Sequence, residues 1–316
     1  MMLSLIVQAA QMALVVALAP LLTGFVRKLK ARLLRRRGPS LLQPYRDLLR
    51  LVHKDAVIAE NASWLFRAAP YLVFAITWVA AALVPTFATG LVFSWSADLI
   101  AIVALLGSAR FFLALAGLDI GTSFGGIGSS REVMIASLAE PAMLLIVFTV
   151  ALLAGSSQLS SIADFMLNAT VGVRVSLALA LVALIMVGIA ENARIPIDNP
   201  ATHLELTMVH EAMVLEYSGR HLAMIEAAAY LKLLLYVSLI ACVFAPWGAA
   251  SASAGVPGYL AGVVCYVGKL AVGGALLATF ETAIAKMRVF RVPQFLGAAL
   301  MLGLLGALLL FVSRSL

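Results

Sequence analysis

The sequence predicts an all-α, polytopic membrane protein with about eight transmembrane helices. Of its 316 residues, 63% are hydrophobic and 12% are charged, a composition outside the range of soluble globular domains. Eight apolar stretches are each long enough for a bilayer core, which a helix of about 20 residues crosses. We therefore expect a single transmembrane domain over residues 1–316.

The connections between the predicted spans differ in length, and the longest follows the first span. Basic residues follow the first apolar stretch instead of preceding it, which is the reverse of a cleavable signal peptide. We interpret that stretch as the first spanning helix. The predicted spans are residues 3–26, 68–90, 97–117, 133–155, 174–191, 222–246, 257–280 and 294–313.

Basic residues concentrate in the loops that this topology places on one side. The longest hydrophilic connection, residues 27–67, is the most basic. The positive-inside rule puts it in the cytoplasm and both termini on the non-cytoplasmic side of a cytoplasmic (inner) membrane. The net charge of +7 thus reflects topology, and binding of nucleic acid is not needed to explain it.

Within that basic loop, LLQPYRDLLRLVHKDAV alternates apolar and charged residues at helical spacing. The pattern predicts an amphipathic helix at the membrane surface. Two interpretations fit it equally well. The helix lies on lipid headgroups, or the loop docks a cytoplasmic partner through Arg35, Arg36, Arg37, Arg46 and Asp47.

An unusually acidic segment interrupts the apolar sequence in the second half of the chain. Six of the 15 carboxylates and three of the four histidines lie between residues 190 and 230. Ionisable groups at membrane depth cost roughly 2.5–3.5 kcal/mol each, so they are retained mainly at cavities and ion paths. We interpret residues 190–221 as a cytoplasmic-side coupling segment, and a solvated loop face is the alternative.

The acidic segment contains a predicted short helix. Asn199 and Pro200 are a favourable helix start, and Gly219 is a favourable stop. Glu205 and Glu216 would share one face of that helix. We interpret the two histidines on the neighbouring stripe, His203 and His210, as hydrogen-bonded structural residues.

Further charged residues lie inside predicted spans. Glu132 is expected in the first turn of a helix that starts after GTSFGGIGSSRE, a stretch interpreted as a flexible connection. Glu140 lies two turns deeper, directly before Pro141, which predicts a kink. Arg110 is a candidate partner for Glu140. Glu226, Lys232, Lys269 and Glu281 lie on later helices, and their pairing could be static or could alternate as a proton passes.

The two cysteines, Cys242 and Cys265, stand singly in apolar surroundings, without metal-binding spacing. No nucleotide, haem or iron–sulfur motif is present in the sequence. We therefore expect no cofactor to be bound by this chain, so any redox cofactor would belong to another subunit.

Several motifs together carry a family resemblance. They are AENARIPIDNP at residues 190–200, EYSG at 216–219, the spacing from Arg131 to Glu140, and RRRGPSLLQPYRDLL after the first span. In these motifs and over nearly its whole length, the chain resembles the quinone-chamber membrane subunit of respiratory complex I and its relatives in membrane-bound [NiFe] hydrogenases. The first motif is similar to the family pattern AExNRxPFDLP.

The departures from that pattern indicate a branch of the family. The loop after the first span is shortened, and Ala201, His203 and Ala229 stand where the complex I form has acidic residues. THLELTMVHEAMVLEYSG is most similar to hydrogenases of the formate hydrogenlyase type. The resemblance therefore argues against quinone binding.

The resemblance implies a subunit that joins a cytoplasmic redox arm to antiporter-like membrane subunits. The implied partners are [NiFe] hydrogenase large and small subunits and iron–sulfur electron-transfer subunits, which would hold the [NiFe] centre and the clusters. Membrane lipids would surround the spans. The implied proton-coupling residues are Glu132, Glu140, Glu191, Asp198, Glu205, Glu216, Glu226, Lys232, Lys269 and Glu281, with Arg110, Arg131 and Arg194 as charge partners.

Three alternatives stay open at this point. The chain could be the quinone-site membrane subunit of an NADH:quinone oxidoreductase. It could be a stand-alone cation or proton transporter, although the sequence lacks the internal repeats typical of that class. It could also be a passive anchor whose acidic residues only complete salt bridges.

Overall fold

The computed structural model describes residues 2–168, 175–198, 208–251, 254–288 and 291–315. Within these ranges every regular element is a helix, and no β-strand is present. Eight long helices follow the eight predicted spans: α1 (Met2–Leu33), α3 (Trp64–Leu83), α4 (Leu99–Asp119), α5 (Ser123–Ala154), α7 (Val175–Glu191), α9 (Gly219–Phe244), α10 (Val256–Ala283) and α11 (Val292–Ser315). Three short helices complete the set: α2 (Gln43–Val52), α6 (Leu159–Asn168) and α8 (His210–Val214).

Seven of the long helices have the length and hydropathy to cross a membrane. The eighth, α7, is apolar but has 17 residues. At about 1.5 Å per residue it is roughly 26 Å long, slightly less than the roughly 30 Å of a bilayer core. The prediction of an all-α membrane protein with about eight spans is confirmed.

The helices pack into one bundle around a continuous apolar core. The helix α9 lies at its centre, against α1, α3 and α7, and about two thirds of its most apolar stretch is buried. The helix α11 packs against α5 and α7, while α10 packs mainly against α1 and leaves most of its surface exposed. Lys232, one of the charged residues discussed below, lies on the well-buried α9, where protein shields it, since an ion is tolerated in a membrane only within protein or at a cavity.

The predicted amphipathic helix is α2, which packs against α1 and α9. Its Tyr45 hydroxyl donates to the carbonyl of Ala17, and burial raises the pKa of Tyr45. The apolar side chains of Leu42, Leu49 and Val52 are exposed. The apolar residues of this segment are thus divided between the bundle and an outward surface.

The glycine-rich stretch before Glu132 was expected to be a flexible connection, and this expectation is wrong. The helix α5 already begins at Ser123, capped by the Thr122 hydroxyl, which accepts from the Gly125 amide at 3.2 Å. Its glycines allow close packing, because a Cβ at Gly128 would lie 2.9 Å from Cγ of Met213 on α8. Glu132 consequently lies well inside α5 and not in a first turn.

The helix predicted to begin near Pro200 and to carry Glu205 and Glu216 is not continuous. Residues 199–207, including Glu205 and His203, lie outside the described residues. From Met208 onward the chain forms the short helix α8, and Glu216 follows it in a turn. After α8, the EYSG residues contact α3 and the loop after α2 instead of continuing the helix.

Three EYSG residues hold the turn between α8 and α9. The Tyr217 ring stacks on Phe66 with centroids 3.9 Å apart, and its hydroxyl donates to the Phe66 carbonyl at 3.0 Å. The Ser218 hydroxyl accepts from the Val57 amide at 2.8 Å and donates to the Val57 carbonyl at 2.9 Å. Gly219 has a φ of +52° and lies against the backbone of the loop after α2, so a side chain there would be both strained and crowded.

Candidate functional site

A cluster of five charged residues lies in the interior of the bundle, around Arg110 of α4. Two carboxylates of α5 contact its guanidinium. Nη1 lies 3.1 Å from Glu140 Oε1, and Nε lies 3.5 Å from Glu132 Oε1. Its Nη2 contacts Glu191 Oε1 at the end of α7. Lys232 Nζ on α9 lies 3.0 Å from the other oxygen of Glu191. We call these residues, Arg110, Glu132, Glu140, Glu191 and Lys232, the Arg110 cluster.

Burial differs sharply across the Arg110 cluster. The side chains of Arg110, Glu132 and Glu191 are no more than 8% exposed. Glu140 is 43% exposed, at the side of the bundle. Most of the cluster is thus shielded from solvent by the bundle, and only Glu140 reaches a lateral surface. Arg110 was a candidate partner for Glu140, and the structure brings the two together.

A cavity of about 60 Å³ adjoins the buried side of the cluster. Charged side chains and apolar groups of α3, α4 and α9 line it, together with His210 at the start of α8. A buried water needs roughly 10–15 Å³ of such space and two to four polar partners, so the cavity can hold several waters. It is much smaller than the roughly 300–1,000 Å³ of typical ligand pockets.

A second group of ions lies at the ends of α1 and α10. Glu281 accepts from Lys30 Nζ at 3.0 Å and from Arg194 Nη1 at 3.4 Å, and its side chain is 3% exposed. Arg194 lies in the turn after α7, where burial lowers its pKa although Glu281 opposes the shift. Nearby, the Arg27 guanidinium lies 5.8 Å from the centroid of the Tyr230 ring. Glu226 also interacts with the Tyr230 hydroxyl.

A third group fixes the chain on both sides of residues 199–207. Asp198 Oδ1 lies 2.9 Å from Lys286 Nζ, and its Oδ2 accepts from the Val209 amide at 3.2 Å. Arg131 Nη1 donates to the Met208 carbonyl at 2.6 Å. These contacts hold α8 against α5, next to the cavity.

The AENARIPIDNP motif therefore contributes one ion to each group. Glu191 belongs to the Arg110 cluster, Arg194 pairs with Glu281, and Asp198 pairs with Lys286. These three residues lie within eight positions of one another in the chain. The backbone of this motif thus connects the three charged groups.

Other predicted site residues lie apart from the Arg110 cluster. Glu216 makes no ion pair with the described residues. Lys269 also makes none there, and lies beside Cys242 in a small separate cavity between α9 and α10. The structure thus brings together four of the ten predicted proton-coupling residues around Arg110: Glu132, Glu140, Glu191 and Lys232.

The predicted docking residues lie at the surface. Arg35, Arg36, Arg37 and Arg46 are exposed. Asp47 is partly buried and is held by its own helix, since it accepts from Gln43 Nε2 at 3.0 Å and contacts Arg50. The exposed arginines, together with Leu42, Leu49 and Val52, form a surface that we call the α2 surface.

With this geometry established, comparison with known proteins gives the family. The family described as NADH dehydrogenase matches residues 5–312. The chain belongs to this family. Formate hydrogenlyase subunit 4 of Escherichia coli (strain K12) is 36% identical over 279 residues, which cover 88% of this chain and 89% of the relative. Hydrogenase-4 component C of the same organism is 35% identical over 241 residues, covering 76% and 75%.

Members of the NADH dehydrogenase family from NADH-oxidising complexes match more distantly. NADH-quinone oxidoreductase subunit 8 of Rhodothermus marinus is 30% identical over 251 residues, covering 74% of this chain and 72% of the relative. A chain from the structure of the membrane-bound sulfane sulfur reductase, an archaeal respiratory membrane complex, has the same fold. It covers 96% of this chain with a TM-score of 0.79 and 19% identity. The family resemblance of the sequence motifs is thereby confirmed, and this chain is homologous to subunits of multi-subunit respiratory membrane complexes.

Sequence reasoning about this NADH dehydrogenase family member missed part of the site. His210 was interpreted as a hydrogen-bonded structural residue, and its position in the wall of the cavity was not predicted. Lys30 and Lys286 were counted only as topology signals, yet both pair with buried carboxylates. No local signal marks such lysines, because their partners lie 251 and 88 residues away in the chain.

Proposed function

We propose that this chain is the membrane anchor and proton-coupling subunit of a membrane-bound [NiFe] hydrogenase of the formate hydrogenlyase type. It would link a cytoplasmic redox arm to antiporter-like membrane subunits. The observation that carries the proposal is the Arg110 cluster, a set of buried ions with a water-sized cavity on one side and an exposed carboxylate on the other. The relatives named formate hydrogenlyase subunit 4 and hydrogenase-4 component C support the choice of complex.

The charge balance of the cluster supports proton exchange over a purely static role. Two cations, Arg110 and Lys232, face three carboxylates, Glu132, Glu140 and Glu191. With all five groups ionised, the cluster carries one net negative charge, and one of its carboxylates, Glu140, is half-exposed. Binding of a single proton neutralises that net charge. The cluster is therefore suited to take up and release one proton.

The shape of the cluster supports a direction for that exchange. Its cavity lies beside α8, which belongs to the acidic segment, and the other end of the cluster, at Glu140, reaches the lateral surface of the bundle. A redox event in the cytoplasmic arm would change the charge near the acidic segment. The Arg110 cluster would then pass a proton, or a shift of charge, to an adjacent membrane subunit through Glu140.

The α2 surface supports docking of the cytoplasmic arm. It combines exposed arginines with exposed apolar side chains beside the bundle. The arm would contain the hydrogenase large and small subunits and iron–sulfur electron-transfer subunits, which would hold the [NiFe] centre and the clusters. In this proposal the arm would lie on the cytoplasmic face of the cytoplasmic membrane, as the positive-inside rule predicts for the basic loop.

The composition of the native complex tests the choice of enzyme. The complex that co-purifies with this chain in mild detergent should contain nickel and a hydrogenase large subunit by metal analysis and mass spectrometry. The second candidate is a quinone-site subunit of NADH:quinone oxidoreductase, which the Rhodothermus marinus relative favours. Flavin and NADH-binding subunits without nickel would establish that candidate instead.

Coupling is tested by Glu140→Gln in the complex reconstituted into proteoliposomes. We expect assembly and redox turnover to persist while proton movement per turnover falls strongly. Glu60→Gln is the control, because Glu60 is an exposed carboxylate in the loop after α2. Unchanged proton movement in Glu140→Gln would remove the coupling role and leave a passive anchor.

A further inference from the structure

His210 occupies a position that its sequence context did not indicate. It begins α8, directly after the segment 199–207, and lines the cavity of about 60 Å³ beside the Arg110 cluster. The same cavity is lined by Arg110, Glu132, Glu191 and Lys232. The imidazole thus lines the cavity from within the acidic segment, at the first residue of α8.

The imidazole of His210 is available to water. It makes no hydrogen bond or ion pair with the described residues, although it is surrounded by polar and charged side chains. By contrast, every charged side chain of the cluster has an ionic partner. Beside a cavity of this size, a polar ring with no hydrogen-bond partner among the described residues can bond to cavity water.

We propose that His210 is the proton-exchanging group through which protons enter and leave the Arg110 cluster on the side of the acidic segment. This inference rests on the proposed coupling function and adds a residue to it. A neutral imidazole can both accept and donate a proton, since one ring nitrogen carries hydrogen and the other has a lone pair. The carboxylates of the cluster only accept while they are ionised.

The step that follows is a proton transfer without redox change. A water on the side of the acidic segment protonates the free ring nitrogen of His210. The opposite ring nitrogen releases its proton to cavity water, which passes it to Glu132 on α5. A half-turn of the ring about its Cβ–Cγ bond then exchanges the positions of the two nitrogens and restores the starting arrangement without returning the proton. One proton enters the cluster for each cycle, and its excess negative charge is neutralised.

The electrostatic surroundings of His210 favour a neutral resting state. Burial lowers the pKa of His210 below its usual 6.5, and Lys232 adds to this effect. The carboxylates of Glu132, Glu226 and Asp198 oppose it. Arg110 and Glu191 of α4 and α7 also face the cavity. A group that rests neutral and gains a proton transiently is what a relay at neutral pH requires.

The test is His210→Gln in the native complex, with His221→Gln as the matched control. His221 is a buried histidine on α9 that contacts Tyr71 edge-on and does not line the cavity. In proteoliposomes we expect His210→Gln to slow coupled proton uptake about tenfold or more, as for loss of a general acid or base. We also expect it to abolish the rise of that rate on acidification. His221→Gln should retain the wild-type rate and pH profile.

The outcomes separate this inference from the proposed function. If the wild-type complex moves no protons, the proposed function fails first. If the wild type is coupled and His210→Gln keeps its rate and pH profile, the role of His210 is overturned while the proposed function stands. If His210→Gln does not assemble, infrared difference spectra of wild-type complex with ¹⁵N-labelled histidine decide. Imidazole bands that do not change during turnover would overturn the inference.

Discussion

Nζ of Lys30, near the end of α1, lies 3.0 Å from Oε2 of Glu281, near the end of α10. The pair joins residues 251 positions apart and closes one end of the bundle, where α10 is otherwise weakly packed. Arg194 binds the other oxygen of the same carboxylate. Glu281 is therefore the common partner of two cations from different parts of the chain.

Replacement of Glu281 by Gln should destabilise the protein markedly. The change leaves Arg194 without its partner, and breaking a buried ion pair costs about 3–5 kcal/mol. The melting temperature of the complex in detergent is the measurement. Lys30→Gln is the comparison, with a smaller expected loss because the Lys30 side chain is 26% exposed and Arg194 still pairs with Glu281. Equal decreases in the melting temperatures of the two variants would contradict the pairing of Arg194 with Glu281.

Replacement of Arg110 by Gln should be far more damaging than replacement of Glu140 by Gln. The first change leaves Glu132 and Glu191 in a buried site with one fewer cation, at a cost of about 3–5 kcal/mol. The second removes a half-exposed partner and costs about 0–1 kcal/mol. The yield and melting temperature of purified complex compare the two. Similar stability of both variants would show that Arg110 does not hold the cluster together.

Gly128 and Gly126 provide a matched pair on α5. A Cβ at Gly128 would lie 2.9 Å from Met213 Cγ and 3.0 Å from Ala212 Cβ, whereas a Cβ at Gly126 has no heavy atom within 4 Å. We expect Gly128→Ala to cost about 1–3 kcal/mol through overpacking against α8. Gly126→Ala should gain about 0.5–1 kcal/mol, because Ala favours the helix. Thermal melting of both variants is the measurement, and a stabilising Gly128→Ala would contradict the observed packing of α8 on α5.

Stability should fall on acidification, and His210 should contribute to the fall. The pKa of His210 is lower in the folded protein than its usual 6.5, so the unfolded chain binds the proton more strongly. The loss of stability therefore begins as pH falls through about 6.5 and continues down to the folded pKa. Melting temperatures between pH 8 and 5 should decrease less for His210→Gln than for the wild type. Parallel curves for the two proteins would exclude this contribution.

The sequence predicted the spans well because apolar length is a local property. It also indicated Arg110 as the partner of Glu140, since charges at membrane depth must find a counter-ion. It did not indicate that Glu132 would join them. The glycines before Glu132 signal a loop when seen alone, and their role in helix packing depends on α4 and α8, which lie elsewhere in the chain.

Pairing at longer range was less predictable for the same reason. Lys269 and Lys232 look alike in sequence, each a single lysine in an apolar helix. The structure pairs Lys232 with Glu191, while Lys269 has no acidic partner among the residues it describes. The difference depends on which face of each helix meets α7, and this follows from the packing of the whole bundle. The short helix α6 was also missed, because its 10 residues cannot span a membrane.

The open side of the Arg110 cluster has a consequence for biogenesis. A subunit inserted alone would present the half-exposed carboxylate of Glu140 to hydrocarbon. Polar groups in contact with lipid tails are costly, so the isolated chain is less stable in the membrane until a neighbour covers that side. We expect orphan copies to be degraded by membrane proteases, and the amount of this subunit to follow that of its lateral neighbour.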